Sequence, residues 1–119
     1  MTADLTIHAA YASVVEDDED GFLFIGFAQG EEEDEPYALF RQPLTGGPVW
    51  FSVNDEEFGA EDAVQSITRD AKGLTITLRP EHLASFGWAR SVAIRIGPHT
   101  EDADLALDAL QQMMGPLLS

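Results

Sequence analysis

Residues 48–79 read PVWFSVNDEEFGAEDAVQSITRDAKGLTITLR. Val49, Phe51 and Val53 alternate with Trp50, Ser52 and Asn54, the period-two pattern of a strand with one buried face. Leu74, Ile76 and Leu78 alternate with Thr75, Thr77 and Arg79 in the same way. Ala71-Lys72-Gly73 supplies the glycine a hairpin turn needs, so 64–69 should pair with 74–78. Val64 and Ile67 have opposite parity, so that strand either begins after Val64 or bulges near Ser66. Between the first strand and the hairpin, 54–62 reads as a long acidic turn. The fold is therefore organised around a sheet.

Working outward, Leu5, Ile7, Ala9 and Tyr11 alternate with Thr6, His8 and Ala10, giving an opening strand that ends in the solvated run Glu16 to Gly21. Residues 22–28 carry apolar groups on both parities, which predicts a central strand buried on both faces. Gly26 within it suggests a bulge or a close backbone approach. A second acidic run, 31–35, closes at Pro36, 37–42 forms a third strand, and 43–48 turns the chain. Pro80 can open a short helix near 80–86 and Gly87 can stop it. Trp88, just beyond, reads as a plug for the core. Val92, Ile94 and Ile96 mark the last strand. Thr100 should cap a helix on which Ala103, Ala106, Leu107, Leu110, Met113 and Met114 share one face, ending at Gly115-Pro116. The expectation is one α+β domain over 1–119. It is mainly an antiparallel sheet of about seven short strands, with a short helix near 80–86 and an amphipathic C-terminal helix over one sheet face.

At 119 residues the chain can bury roughly two-thirds of its unfolded surface, and its 45% hydrophobic content argues against disorder. It has no cysteine, hence no disulfide framework, thiolate metal site or thiol nucleophile. The first residues lack a basic segment ahead of an apolar run, so no secretory signal is expected. No apolar stretch approaches bilayer length. The expected location is the cytoplasm. Twenty-two Asp and Glu stand against six Lys and Arg, a net charge of −16. Such a field repels nucleic acid and anionic membrane and speeds encounter with a basic protein. Adaptation to a salty cell interior would also raise acidity, but it would spread the acids evenly.

The usual chemical signatures are absent. Residues 16–21 place carboxylates as a calcium loop does, yet the twelfth position, which must be a bidentate acid, is Phe27. His8, His82 and His99 have no metal-ligand spacing, and no nucleophile elbow, phosphate loop, dinucleotide fingerprint or HExxH occurs. Carboxylate pairs such as Asp55 and Glu57 arise by chance in so acidic a chain. No catalytic residue, cofactor or metal ion is therefore assigned, and an enzyme is not expected.

A binding surface is. In a simple meander the segments 31–35 and 54–62 would emerge at one end of the sheet. Glu31, Glu32, Glu33, Asp34, Glu35, Asp55, Glu56, Glu57, Glu61 and Asp62 would then share a rim beside Asn54. Mutual repulsion on such a rim is relieved by a cationic partner. Trp50 either packs under the terminal helix or stands exposed as an anchor, and Phe58 poses the same choice.

Several of these segments resemble bacterial polymorphic-toxin immunity proteins of family ten. The likeness rests on Trp50-Phe51-Ser52-Val53, Asn54-Asp55, Glu56-Glu57-Phe58-Gly59, Val64-Gln65-Ser66-Ile67 and Leu74-Thr75-Ile76-Thr77-Leu78. Phe22 to Phe27 and Leu39-Phe40-Arg41-Gln42 fit the family's second and third strands, so the similarity covers most of the chain. The chain departs from the family in having Ser52 where Glu is usual and Glu56 where Gln is usual. The resemblance implies a cytoplasmic antitoxin that binds a cognate, basic toxin domain and blocks it. A generic acidic interaction module, such as a secretion chaperone or adaptor, is the other reading. Neither involves nucleic acid or a membrane.

Overall fold

Alternating apolar and polar residues build most of the sheet. A computed structural model describes residues 4–30 and 35–117, apart from the side chains of 55–57 and 116. Within them run β1 (Leu5–Asp17), β2 (Phe22–Ala28), β3 (Tyr37–Pro43), β4 (Trp50–Val53), β5 (Asp55–Glu61), β6 (Val64–Asp70), β7 (Gly73–Leu78) and β8 (Ser91–Glu101). A 3-10 helix, Pro80–Phe86, joins β7 to β8, and α1 (Ala103–Met114) follows β8 into a final 3-10 turn, Gly115–Leu117. The architecture is α+β. No described helix is long and apolar enough to cross a membrane.

The strands lie in the order β5-β4-β3-β2-β1-β8-β7-β6. Neighbours are antiparallel except β1 and β8, which run parallel. β5 and β6 sit at the two ends of this order, yet only Asp62 and Ala63 separate them in the chain. Flat strands spaced ~4.8 Å apart would put those ends about 34 Å from each other. The short link reaches only ~11 Å. The sheet must curl until its edges meet.

The closing element is one bent strand. Antiparallel pairing outward from β1 and β8 leaves β5 and β6 running in the same sense, so the chain passes from one edge straight onto the other. The corner turns at Asp62, in the left-handed region at φ 55°. It is tied to both edges: Asp62 N–H donates to Val49 O and Arg79 N–H to Ala63 O. β1 does the same on the far side. Its first half pairs with β8 and its second half with β2, with a register shift between Ala9 and Tyr11. Two half-sheets therefore face each other across the core, sharing strands that bend at the corners.

Inward-facing residues from both halves form a single cluster. Ile25, Phe27, Ala38, Phe40, Phe51 and Val53 come from one half; Ile7, Ile67, Ile76, Val92 and Ile94 come from the other. Phe51 is the junction, its ring 4.8 Å from Phe40 and 5.8 Å from Phe86 of the 3-10 helix. Ala106, Leu110 and Met114 of α1 enter the same cluster, so the helix closes the inside of the curl.

The structure departs from the sequence reading at several points. Residues 55–61 are a strand, not part of a turn, because β4 supplies a pairing edge that local composition does not reveal. The parity change at Val64 is a bulge between Val64 and Ser66. β2 is central, but only Ile25 and Phe27 are fully buried; Phe22 and Phe24 point to the outside. Gly26 makes no bulge, since both its ladders run in register. Thr100 lies within β8, and Asp102 is the residue preceding α1, without a side-chain cap. Trp88 does not plug the core: it is 72% exposed, and Phe86 fills that place. Gly87 and Trp88 are both left-handed, at φ 64° and 69°, reversing the chain into β8 with the indole outside.

Phe51→Ala should cost about 3–5 kcal/mol of stability, read from the urea midpoint, because it empties the junction of the core. Gly73→Ala should cost more than Gly21→Ala. A methyl on Gly73 would overlap the carbonyl oxygen of Ile94, whereas Gly21 has open space and loses only ~1 kcal/mol to its left-handed conformation.

Candidate functional site

With α1 spent on the inside, none of the described elements covers the outer face of β1 to β5. Register places Val15, Phe24, Arg41, Trp50 and Glu61 side by side across five strands on that face. The next row is Ser13, Gly26, Leu39, Ser52 and Gly59. Phe22 lies beyond Phe24, with ring centroids 6.1 Å apart. Arg41 sits between rings, its guanidinium carbon 5.0 Å from the Phe22 centroid and 5.2 Å from that of Trp50. A guanidinium this close to aromatic rings is attracted to their faces and keeps N–H groups with which to donate.

Small residues seat these groups. A methyl on Gly59 would come within 2.7 Å of both Trp50 Cζ2 and Ser52 Cβ, so glycine is what lets the indole lie against β5. Ser52 is fully buried beneath this layer although it faces outward, and its hydroxyl has no hydrogen-bond partner. Val15 is 51% exposed, and Phe22, Phe24, Leu39, Arg41 and Trp50 are each half-buried. The result is a preformed apolar surface with one cation at its centre.

The carboxylates predicted to share one rim are divided. Asn54 N–H donates to Tyr37 O, and its Oδ1 accepts from Tyr37 N–H, so the start of β5 does lie beside the entry to β3. Glu35 precedes that entry. Glu31, Glu32, Glu33 and Asp34 fall outside the described residues, as do the side chains of Asp55, Glu56 and Glu57. Glu61 and Asp62 lie at the other end of β5, where Glu61 pairs with Trp50 and Asp62 meets Arg79 at 3.7 Å. The strand character of 55–61 separates them.

Trp50 does not pack under the helix; it faces away from it. Phe58 is 43% exposed, with its Cζ 3.5 Å from where a methyl on Gly87 would stand, so it emerges at the same turn as Trp88. The sequence reading missed Phe22, Phe24, Arg41 and Val15 as surface groups. The signal was present in the two-sided apolar pattern of β2, which one helix cannot cover on both faces. Among the described residues no cluster of His, Asp and Glu is arranged to hold a metal ion.

No family model, no curated protein and no solved structure matches the chain.

Ser52→Ala should leave stability unchanged or raise it, because an unpartnered buried hydroxyl costs free energy that a methyl does not. Gly59→Ala should lower the unfolding midpoint. A double-mutant cycle on Arg41→Met and Trp50→Leu should give a coupling of ~0.5–1 kcal/mol.

Proposed function

We propose that the protein is a non-catalytic antitoxin that neutralises a cognate, cationic toxin domain by direct contact in the cytoplasm. The activity is the one implied by the resemblance to family-ten immunity proteins. The contact falls to the outer aromatic face around Trp50 and Arg41. The observation that carries this reading is the uncovered Val15-Phe24-Arg41-Trp50 row on a chain of net charge −16.

Each part has a distinct physical role. Trp, Phe and Arg presented on a rigid sheet give binding energy at little entropic cost, and such residues dominate interface hot spots. The surrounding negative field steers a basic partner and excludes acidic competitors, acting more on association rate than on final affinity. The same field opposes nucleic acid and anionic lipid as partners.

The test is titration against the product of the gene adjacent to its own. Phe24→Ser with Trp50→Ser should weaken binding about 100-fold, mainly through faster dissociation. Changing Asp55, Glu56 and Glu57 to Ser should slow association several-fold at low salt, with the difference fading near 0.5 M salt. Failure of that product to bind at all would remove the antitoxin reading. Binding that ignores both variants would remove the assigned face.

A further inference from the structure

The opposite end of the outer surface carries a second, unrelated feature. Of six Lys and Arg and three His in the chain, two of each line one open concavity of about 590 Å³: Lys72, Arg95, His8 and His99. Ala9, Ala10, Ile96 and Pro98 supply its apolar lining, and among the described residues no Asp or Glu lines it. In a chain with 22 acids, that is a local reversal of sign.

The four groups are held in place by separate backbone ties. Parallel pairing sets His8 directly beside Arg95, on strands ~4.8 Å apart. Lys72 O accepts from Ile96 N–H at 2.9 Å, which fixes the β6–β7 turn against β8 next to Arg95. Gly73 makes this possible, because any side chain there would strike the β8 backbone. His99 sits in the segment pinned by Thr100, whose hydroxyl accepts from Gly97 N–H and donates to Ala9 O at 2.8 Å. The Asp70 carboxylate in the same turn accepts from Lys72 N–H at 2.7 Å. Among the described residues Arg79 pairs with Asp62, while Lys72 and Arg95 form no ion pair.

We propose that this concavity binds a small organic phosphate, with Arg95 and Lys72 holding the phosphoryl oxygens and the Ala-Ile-Pro lining taking the apolar body. A guanidinium supplies a planar two-donor fork for such oxygens, and an ammonium supplies a mobile point charge. The volume falls in the range of small-ligand sites, and predominantly apolar walls with a few placed polar groups are their usual composition. The overall negative charge opposes anions at long range, but screening at physiological salt limits that opposition to about 8 Å.

The experiment follows amide chemical shifts during titration with inorganic phosphate and with phenyl phosphate, at fixed pH and ionic strength. Saturable shifts around residues 8, 72 and 95–99 are expected, with phenyl phosphate binding more tightly than inorganic phosphate. Arg95→Gln and Lys72→Gln should each weaken binding about tenfold, the loss of one charge-assisted hydrogen bond. Arg90→Gln, which removes an exposed arginine outside the concavity, should change nothing, and unperturbed spectra elsewhere verify that each variant is folded. Non-saturating shifts, equal weakening by Arg90→Gln, or equal affinity for the two phosphates would each overturn the proposal.

Discussion

The structure depends on the bend at Asp62-Ala63. There a single strand leaves one end of the sheet and joins the other, held by Val49 on one side and Arg79 on the other. Without that bend the eight strands would make a broad open sheet with two unpaired edges and two faces to cover. With it, the inner faces find each other. The phenylalanines at 27, 40, 51 and 86 meet in the interior, and one twelve-residue helix is enough to close what remains. β5 and β6 remain the edge strands of this order, joined only through the corner at Asp62-Ala63.

That economy has a consequence on the outside. Because α1 serves the interior, the outer surface of β1 to β5 must stand in water with whatever side chains it carries. On this chain they are aromatic around Trp50, with Arg41 clasped between two rings and a serine buried below them without a partner. An unsatisfied hydroxyl under a tryptophan is a small stability loss, and an exposed aromatic row is a solubility liability. High negative charge offsets the second by keeping copies of the chain apart. A surface that costs stability and solubility in this way supports the docking role proposed for it.

Much of the sheet was legible in the sequence, because period-two alternation reports a buried face directly. β1, β4, β7 and β8 announce themselves this way, β2 by its continuous apolar run, and the helix by the spacing of Ala106, Leu110 and Met114. β5 does not. Asn54 to Glu61 has no alternation, and its strand conformation is imposed by pairing with β4. That one error moved Glu61 and Asp62 to the wrong end of the candidate site. Trp88 was misread for a different reason: a bulky residue at positive φ cannot be foreseen from its neighbours, and Phe86 two positions earlier was equally able to fill the core. The aromatic face was hidden by assuming that apolar residues on both sides of β2 must both be covered.

The most direct measurement is amide hydrogen exchange on the protein free and bound to the product of the adjacent gene. The account predicts added protection centred on β2, β3 and β4, around Phe24, Arg41 and Trp50, with α1 unaffected. Protection confined to α1, or to the Ser91–Glu101 strand, with the Trp50 face unchanged, would contradict it.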